Sequence, residues 1–124
     1  INLINKLKTK KMKKRNFLWF AEADVETNNE AVLVPVENYL SADPVSGGVV
    51  LSFGDIEGHQ TRELITINCA NGNQKTVLNA LVSIMNSGPH SDGFIVVADA
   101  NVANGQTAVF HKAFGGLVTG CTIA

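Results

Sequence analysis

Arg62-Glu63-Leu64-Ile65-Thr66-Ile67-Asn68-Cys69-Ala70, then Asn71-Gly72-Asn73, then Gln74 through Asn86, is the stretch that decides the fold. In its first part Ile65, Ile67 and Cys69 fall on one side and Thr66 and Asn68 on the other. Alternation with period two marks a half-buried strand. Asn71-Gly72-Asn73 closes the strand and offers a helix cap. From Gln74 the period changes to that of a helix. Val77, Leu78, Leu81, Ile84 and Met85 form a wide apolar face, and Lys75, Asn79, Ser83 and Asn86 form a narrow polar stripe. So narrow a stripe predicts a helix covered over most of its surface. Gly88 suits the left-handed position beyond the last turn and Pro89 forbids continuation.

Working outward, Val49, Leu51 and Phe53 alternate with Val50 and Ser52 as a second strand. Asp43-Pro44 opens the turn before it and Gly47-Gly48 closes that turn. Val32, Val34 and Val36 share one face of another strand, and Pro35 on its other face predicts a sheet edge or bulge. Asn16 to Phe20 is a short aromatic strand. Glu22 to Glu30 reads as a solvated acidic loop. Beyond the helix, Phe94-Ile95-Val96-Val97-Ala98 is apolar on both faces, which predicts a strand covered on both sides, with the helix on one. Asp99 ends it, in a position for a helix cap or a turn bond. Asn101 to Gln106 is a loop, and Val109-Phe110 and Leu117 to Ile123 are strand-like around Gly115-Gly116. The reading is a mainly β domain with one α-helix, in the order β-β-β-β-α-β-β. A small, strongly bent antiparallel sheet or barrel with the helix across an open side fits that order.

Charge is unevenly placed along the 124 residues. Lys6, Lys8, Lys10, Lys11, Lys13, Lys14 and Arg15 give residues 1–15 seven cations and no acid, a charge of +7. Residues 16–124 hold three cations, Arg62, Lys75 and Lys112, against eleven acids, a charge of −8. So acidic a body is a poor counterpart for phosphates. Met12-Lys13-Lys14-Arg15 reads as a translation start. On that reading residues 1–11 are not native, 1–15 is a basic non-globular head, and 16–124 is a single domain. The apolar run after the basic cluster, Phe17 to Ala21, is too short for a signal peptide, and no run approaches the ~18 residues of a membrane span. With 45% apolar and 17% charged residues the chain has apolar surface in excess, which predicts a homo-oligomer.

No set of residues converges on catalysis. His59, His90 and His111 fall in loops without metal-ligand spacing. His90-Ser91-Asp92 has the residue types of a hydrolase triad, but neighbours in sequence cannot align as one. Cys69 and Cys121 match no metal motif and read as small buried hydrophobes, with a disulfide between them left open. The expectation is no enzyme, no cofactor and no metal. Candidate contacts with a partner or a nucleic acid are Lys13, Lys14 and Arg15 with the adjoining Phe17, Trp19 and Phe20, since aromatic rings can stack bases. Sealing the barrel or a subunit contact is the competing use of these rings.

Ile65-Thr66-Ile67-Asn68, Val77-Leu78-Asn79-Ala80-Leu81, Asn86-Ser87-Gly88, Phe94 to Asp99 and Val118-Thr119-Gly120-Cys121-Thr122-Ile123, in this order, resemble small β-rich proteins of marine tailed phages and ocean metagenomes. That resemblance implies a virion-associated structural protein, partnered by its own copies and by other virion proteins, located in the virion or otherwise the cytoplasm. The architecture is also similar to Sm-like small barrels, which implies ring assembly. The Sm Arg-Gly pair is missing, since Arg15 precedes Asn16 and Arg62 precedes Glu63, so the RNA binding of that group does not carry over with the shape. The function expected is a non-enzymatic self-associating module, with an Sm-like nucleic-acid-binding ring as the alternative.

Overall fold

The computed structural model describes residues 16–24, 31–54, 63–86 and 93–123. The basic head with Lys13, Lys14 and Arg15, most of the acidic 22–30 loop, His59, His90 and the expected helix stop at Gly88-Pro89 lie outside them. The elements are β1 (Phe17–Ala21), β2 (Ala31–Pro35), β3 (Tyr39–Val45), β4 (Gly48–Phe53), β5 (Glu63–Cys69), α1 (Gln74–Asn86), β6 (Phe94–Asp99), β7 (Val109–Phe110) and β8 (Val118–Ile123). Among the described residues the chain is mainly β with one α-helix, placed after β5.

The strands form two four-stranded sheets, β2-β1-β6-β7 and β3-β4-β5-β8. They do not close into a barrel. β8, at the rim of the second sheet, lies beside β1 and β6 of the first. The first sheet is also not wholly antiparallel, because β1 pairs parallel with β6. An extra residue interrupts that pairing: Trp19 faces Val96 and Phe20 faces Ala98, which leaves Val97 as a bulge.

The second sheet follows from its alternation. Val49, Leu51 and Phe53 of β4 pair across with Ile67, Ile65 and Glu63 of β5, and Ile65 and Ile67 pair onward with Ile123 and Cys121 of β8. One face of this sheet is therefore a continuous apolar layer, and all of these residues except Glu63 are buried. Five strands precede the helix where four were expected. The additional one is β3, which runs through Asp43 and Pro44 and turns only at Ser46-Gly47. Pro44 is tolerated because β3 is an edge strand, where an absent N–H breaks no ladder. Gly47 adopts φ 83 in the turn, a conformation that favours glycine.

The helix packs against β3, β4 and a 3-10 turn at Lys112–Phe114. It buries Val77, Ala80, Leu81 and Ile84. Its open face is broader than the polar stripe implied, since Val82 is 51% exposed. The entry to the helix is tied to the β3–β4 hairpin. The Gly47 amide donates to Asn71 Oδ1 at 2.8 Å, and Gln74 Nε2 donates to the Val45 carbonyl and to Asn71 Oδ1, each at 3.0 Å.

One buried cluster joins both sheets and the helix, from Leu18 and Phe20 through Phe53 and Ile67 to Leu81 and Ile123. Phe53 sits at its centre, with ring centroids 5.8 Å from Phe20 and 6.0 Å from Tyr39. Cys69 and Cys121 are both buried free thiols. Burial, together with the nearby charges of Glu22 and Asp99, pushes the Cys121 thiol up to about 12, against one lowering contact from the Ala21 backbone.

Candidate functional site

β1 is apolar at every position, so its sequence does not say which side faces the core. Register supplies the answer. Leu18 and Phe20 are buried, with Val34 and Ile95 beside Leu18 on the inner face. Phe17 and Trp19 belong to the opposite face. There Phe17 lies between Pro35 and Phe94, and Trp19 lies between Leu33 and Val96. Asp99, paired with both Ala21 and Val109, continues the same face.

This outer face is open. Leu33 is 46% exposed and Phe94 44%, with Phe17, Trp19 and Val96 half-buried between them. The expectation that β6 is covered on both sides is therefore corrected. The chain has one long helix among the described residues, and it packs on β3, β4 and the 112–114 turn instead. On the outer side of β6, Phe94 is 44% exposed and Val96 half-buried.

The aromatic pair on this face is held in place. The Trp19 and Phe94 ring centroids are 6.1 Å apart at 33°. Trp19 Nε1 donates to Asp99 Oδ2 at 3.2 Å, while the Asn101 amide donates to Asp99 Oδ1 at 3.0 Å. Asp99 thus makes the turn bond, one of the two duties expected of it, and also fixes the indole. The turn continues inward, where buried Asn101 donates to Gln106 Oε1 at 3.0 Å and accepts from the Ala103 amide at 3.1 Å. An indole anchored by a carboxylate is a rigid platform that costs little side-chain entropy on binding. Its chemistry is apolar contact and stacking.

Of the six contact residues drawn from the sequence, Lys13, Lys14 and Arg15 lie outside the described residues. Phe17 and Trp19 share the open face. Phe20 is corrected: it is 0% exposed and packs on Phe53, because neighbouring positions on a strand point to opposite faces. The sequence reading missed Leu33, Phe94 and Val96. Pro35 was the available signal, since it placed β2 at an edge and hence its neighbours near a surface.

The remaining chemistry-bearing groups have local duties. His111 Nδ1 accepts from the Ala113 amide at 3.0 Å and caps the 112–114 turn. Gly115 and Gly116 take φ 60 and 82 in the turn leading to β8. Among the described residues no three His, Cys, Asp or Glu side chains gather as a metal site, and no helix is long and apolar enough to cross a membrane.

Among the described residues the fold and this face define a two-sheet β protein with one α-helix and an aromatic outer layer. Compared with known families, curated proteins and solved structures, the chain matches none.

Proposed function

We propose that the chain is a non-enzymatic, self-associating structural or binding module, of the kind that serves as a virion component. The observation that carries this reading is the open face of the first sheet, where Phe17, Trp19, Leu33, Phe94 and Val96 adjoin across three strands. Contiguous apolar patches of this kind mark interaction sites, whereas single exposed apolar residues need no explanation. Leu40, Val45, Leu64, Val82, Val102 and Val109 are also exposed, on five separate segments. The composition supports the same reading, since few charges and many apolar residues leave surface to be covered by association. The virion assignment rests on the sequence resemblance alone.

Light scattering of the full chain over a concentration series tests the proposal. A mass that rises above that of the 13.2 kDa chain supports it. A monomer up to the solubility limit contradicts it.

A further inference from the structure

The tripeptide Ala-Asn-Gly occurs twice, at 70–72 and at 103–105. An asparagine followed by glycine is open to a spontaneous reaction of the chain with itself. The glycine nitrogen loses its proton and attacks the asparagine Cγ. A bond from that nitrogen to Cγ forms, the Cγ–Nδ2 bond breaks, and ammonia leaves with the proton. Water then opens the five-membered imide at one of its two carbonyls, giving aspartate, or isoaspartate with the main chain routed through the former side chain. Glycine favours the attack because no Cβ hinders it. Both asparagines and both glycines are exposed, so solvent reaches each pair.

At 71–72 a single side chain holds both reacting groups. The Gly72 N–H, whose proton must leave, donates to Gln74 Oε1 at 2.8 Å. Asn71 Oδ1, on the carbon under attack, accepts from Gln74 Nε2 at 3.0 Å and from the Gly47 amide at 2.8 Å. Gln74 Nε2 also donates to the Val45 carbonyl at 3.0 Å. A carboxamide has two N–H donors, and both are used here. Gln74 is thus anchored on the β3–β4 hairpin while its oxygen holds the nucleophile and its nitrogen holds the electrophile. Closing the ring swings Asn71 Cγ onto the Gly72 nitrogen. That motion pulls Oδ1 off two donors and frees the Gly72 N–H from a third bond.

The second tripeptide is braced differently. The glutamine that follows it, Gln106, gives its Oε1 to Asn101 Nδ2 at 3.0 Å, and its amide donates to the Ala103 carbonyl at 3.2 Å. Asn104 therefore serves as an internal standard whose chemistry does not depend on Gln74.

We propose that Asn71-Gly72 is a latent deamidation site that the Gln74 carboxamide keeps closed. The lock also guards the joint it belongs to. Aspartate at 71 still offers an oxygen to the Gly47 amide and to Gln74 Nε2, so the tie between the helix entry and the hairpin survives. Isoaspartate adds a carbon to the main chain just before α1 and moves that oxygen out of register with Gly47.

Peptide mapping by mass spectrometry tests the proposal on the full chain, incubated folded at mildly alkaline pH, for the parent, Gln74→Met and Gln74→Ala. Exchange of NH2 for OH is read at Asn71 and Asn104 in the same samples, and isoaspartate by its shifted retention. Gln74→Met keeps the length and helix propensity of the side chain without its carboxamide. Conversion at Asn71 should be about tenfold faster in both variants, equivalent to ~1.4 kcal/mol on the barrier or roughly one hydrogen bond, with conversion at Asn104 unchanged. Equal rates at Asn71 in parent and variants would overturn the proposal. So would a rise at Asn71 matched by an equal rise at Asn104, which is a general loosening of the fold. Should thermal melts show that neither variant stays folded, the parent decides: Asn71 is expected to convert about tenfold more slowly folded than in urea, and equal rates overturn the lock.

Discussion

Replacing Gly48 by alanine tests how the second sheet is held together. A methyl built on Gly48 collides with the carbonyl oxygen of Ile67, and lies 3.1 Å from its carbonyl carbon and 3.2 Å from Asn68 Cα. All three are backbone atoms of β5. That strand is fixed between β4 and β8 and cannot retreat. Relief requires β4 to lift away at the Gly48–Asn68 pair, which endangers the bond from the Cys69 amide to the Gly47 carbonyl at 3.0 Å. Overpacking contributes about 1–3 kcal/mol and a weakened backbone bond about 1 more. The expected loss is therefore about 2–4 kcal/mol, read as a fall of roughly 1–2 M in the urea midpoint. Gly54→Ala is the control. Its methyl meets the Leu40 side chain at 3.6–3.8 Å, ordinary contact, and its φ is not positive. It should stabilise by about 0.4–1 kcal/mol through the unfolded chain. A Gly48→Ala protein as stable as the parent would refute the close approach of β4 to β5.

Other consequences follow from the same contacts. Asp99→Ala removes the acceptor of both the Trp19 indole and the Asn101 amide, and should cost about 1–3 kcal/mol in chemical denaturation. Trp19 is the chain's one tryptophan, so its emission should shift to shorter wavelength as concentration drives association. Buried Cys121 should resist a thiol reagent at pH 8 in the native protein and react once it is unfolded. Its folded pKa lies above its ordinary 9.0, so below pH 9 both states are protonated and stability is unaffected. Above pH 9 the unfolded thiol ionises first, and stability should fall by about 1.4 kcal/mol per pH unit toward pH 12. Cys121→Ala should remove that component of the alkaline fall in a pH series of melts.

The elements with one buried face were legible from sequence, because their pattern is their environment. β5 alternates Ile65, Ile67 and Cys69 against polar neighbours, and α1 repeats its apolar residues at helical spacing, so both were placed closely. Pro35 announced an edge, and Asp99 announced a turn bond. Illegibility began where pattern and environment part. β1 reads Phe-Leu-Trp-Phe-Ala, apolar throughout, so parity alone separated half-buried Trp19 from buried Phe20. β6 looked covered on both sides because its sequence is apolar on both, yet one face is open. An interaction face and a core face have the same composition. The parallel pairing of β1 with β6 carries no local signature either, since tertiary packing chooses it. The open face thus became visible only when β1, β2 and β6 were brought into one sheet.

Sedimentation velocity of the full chain over a concentration series, with Trp19 emission read on the same samples, tests the central claim most directly. The account predicts that the mass rises above 13.2 kDa and that the emission shifts to shorter wavelength in step with it, because Trp19 lies on the open face between Leu33 and Val96. Association that leaves Trp19 emission unchanged, or a chain that stays monomeric, would contradict it.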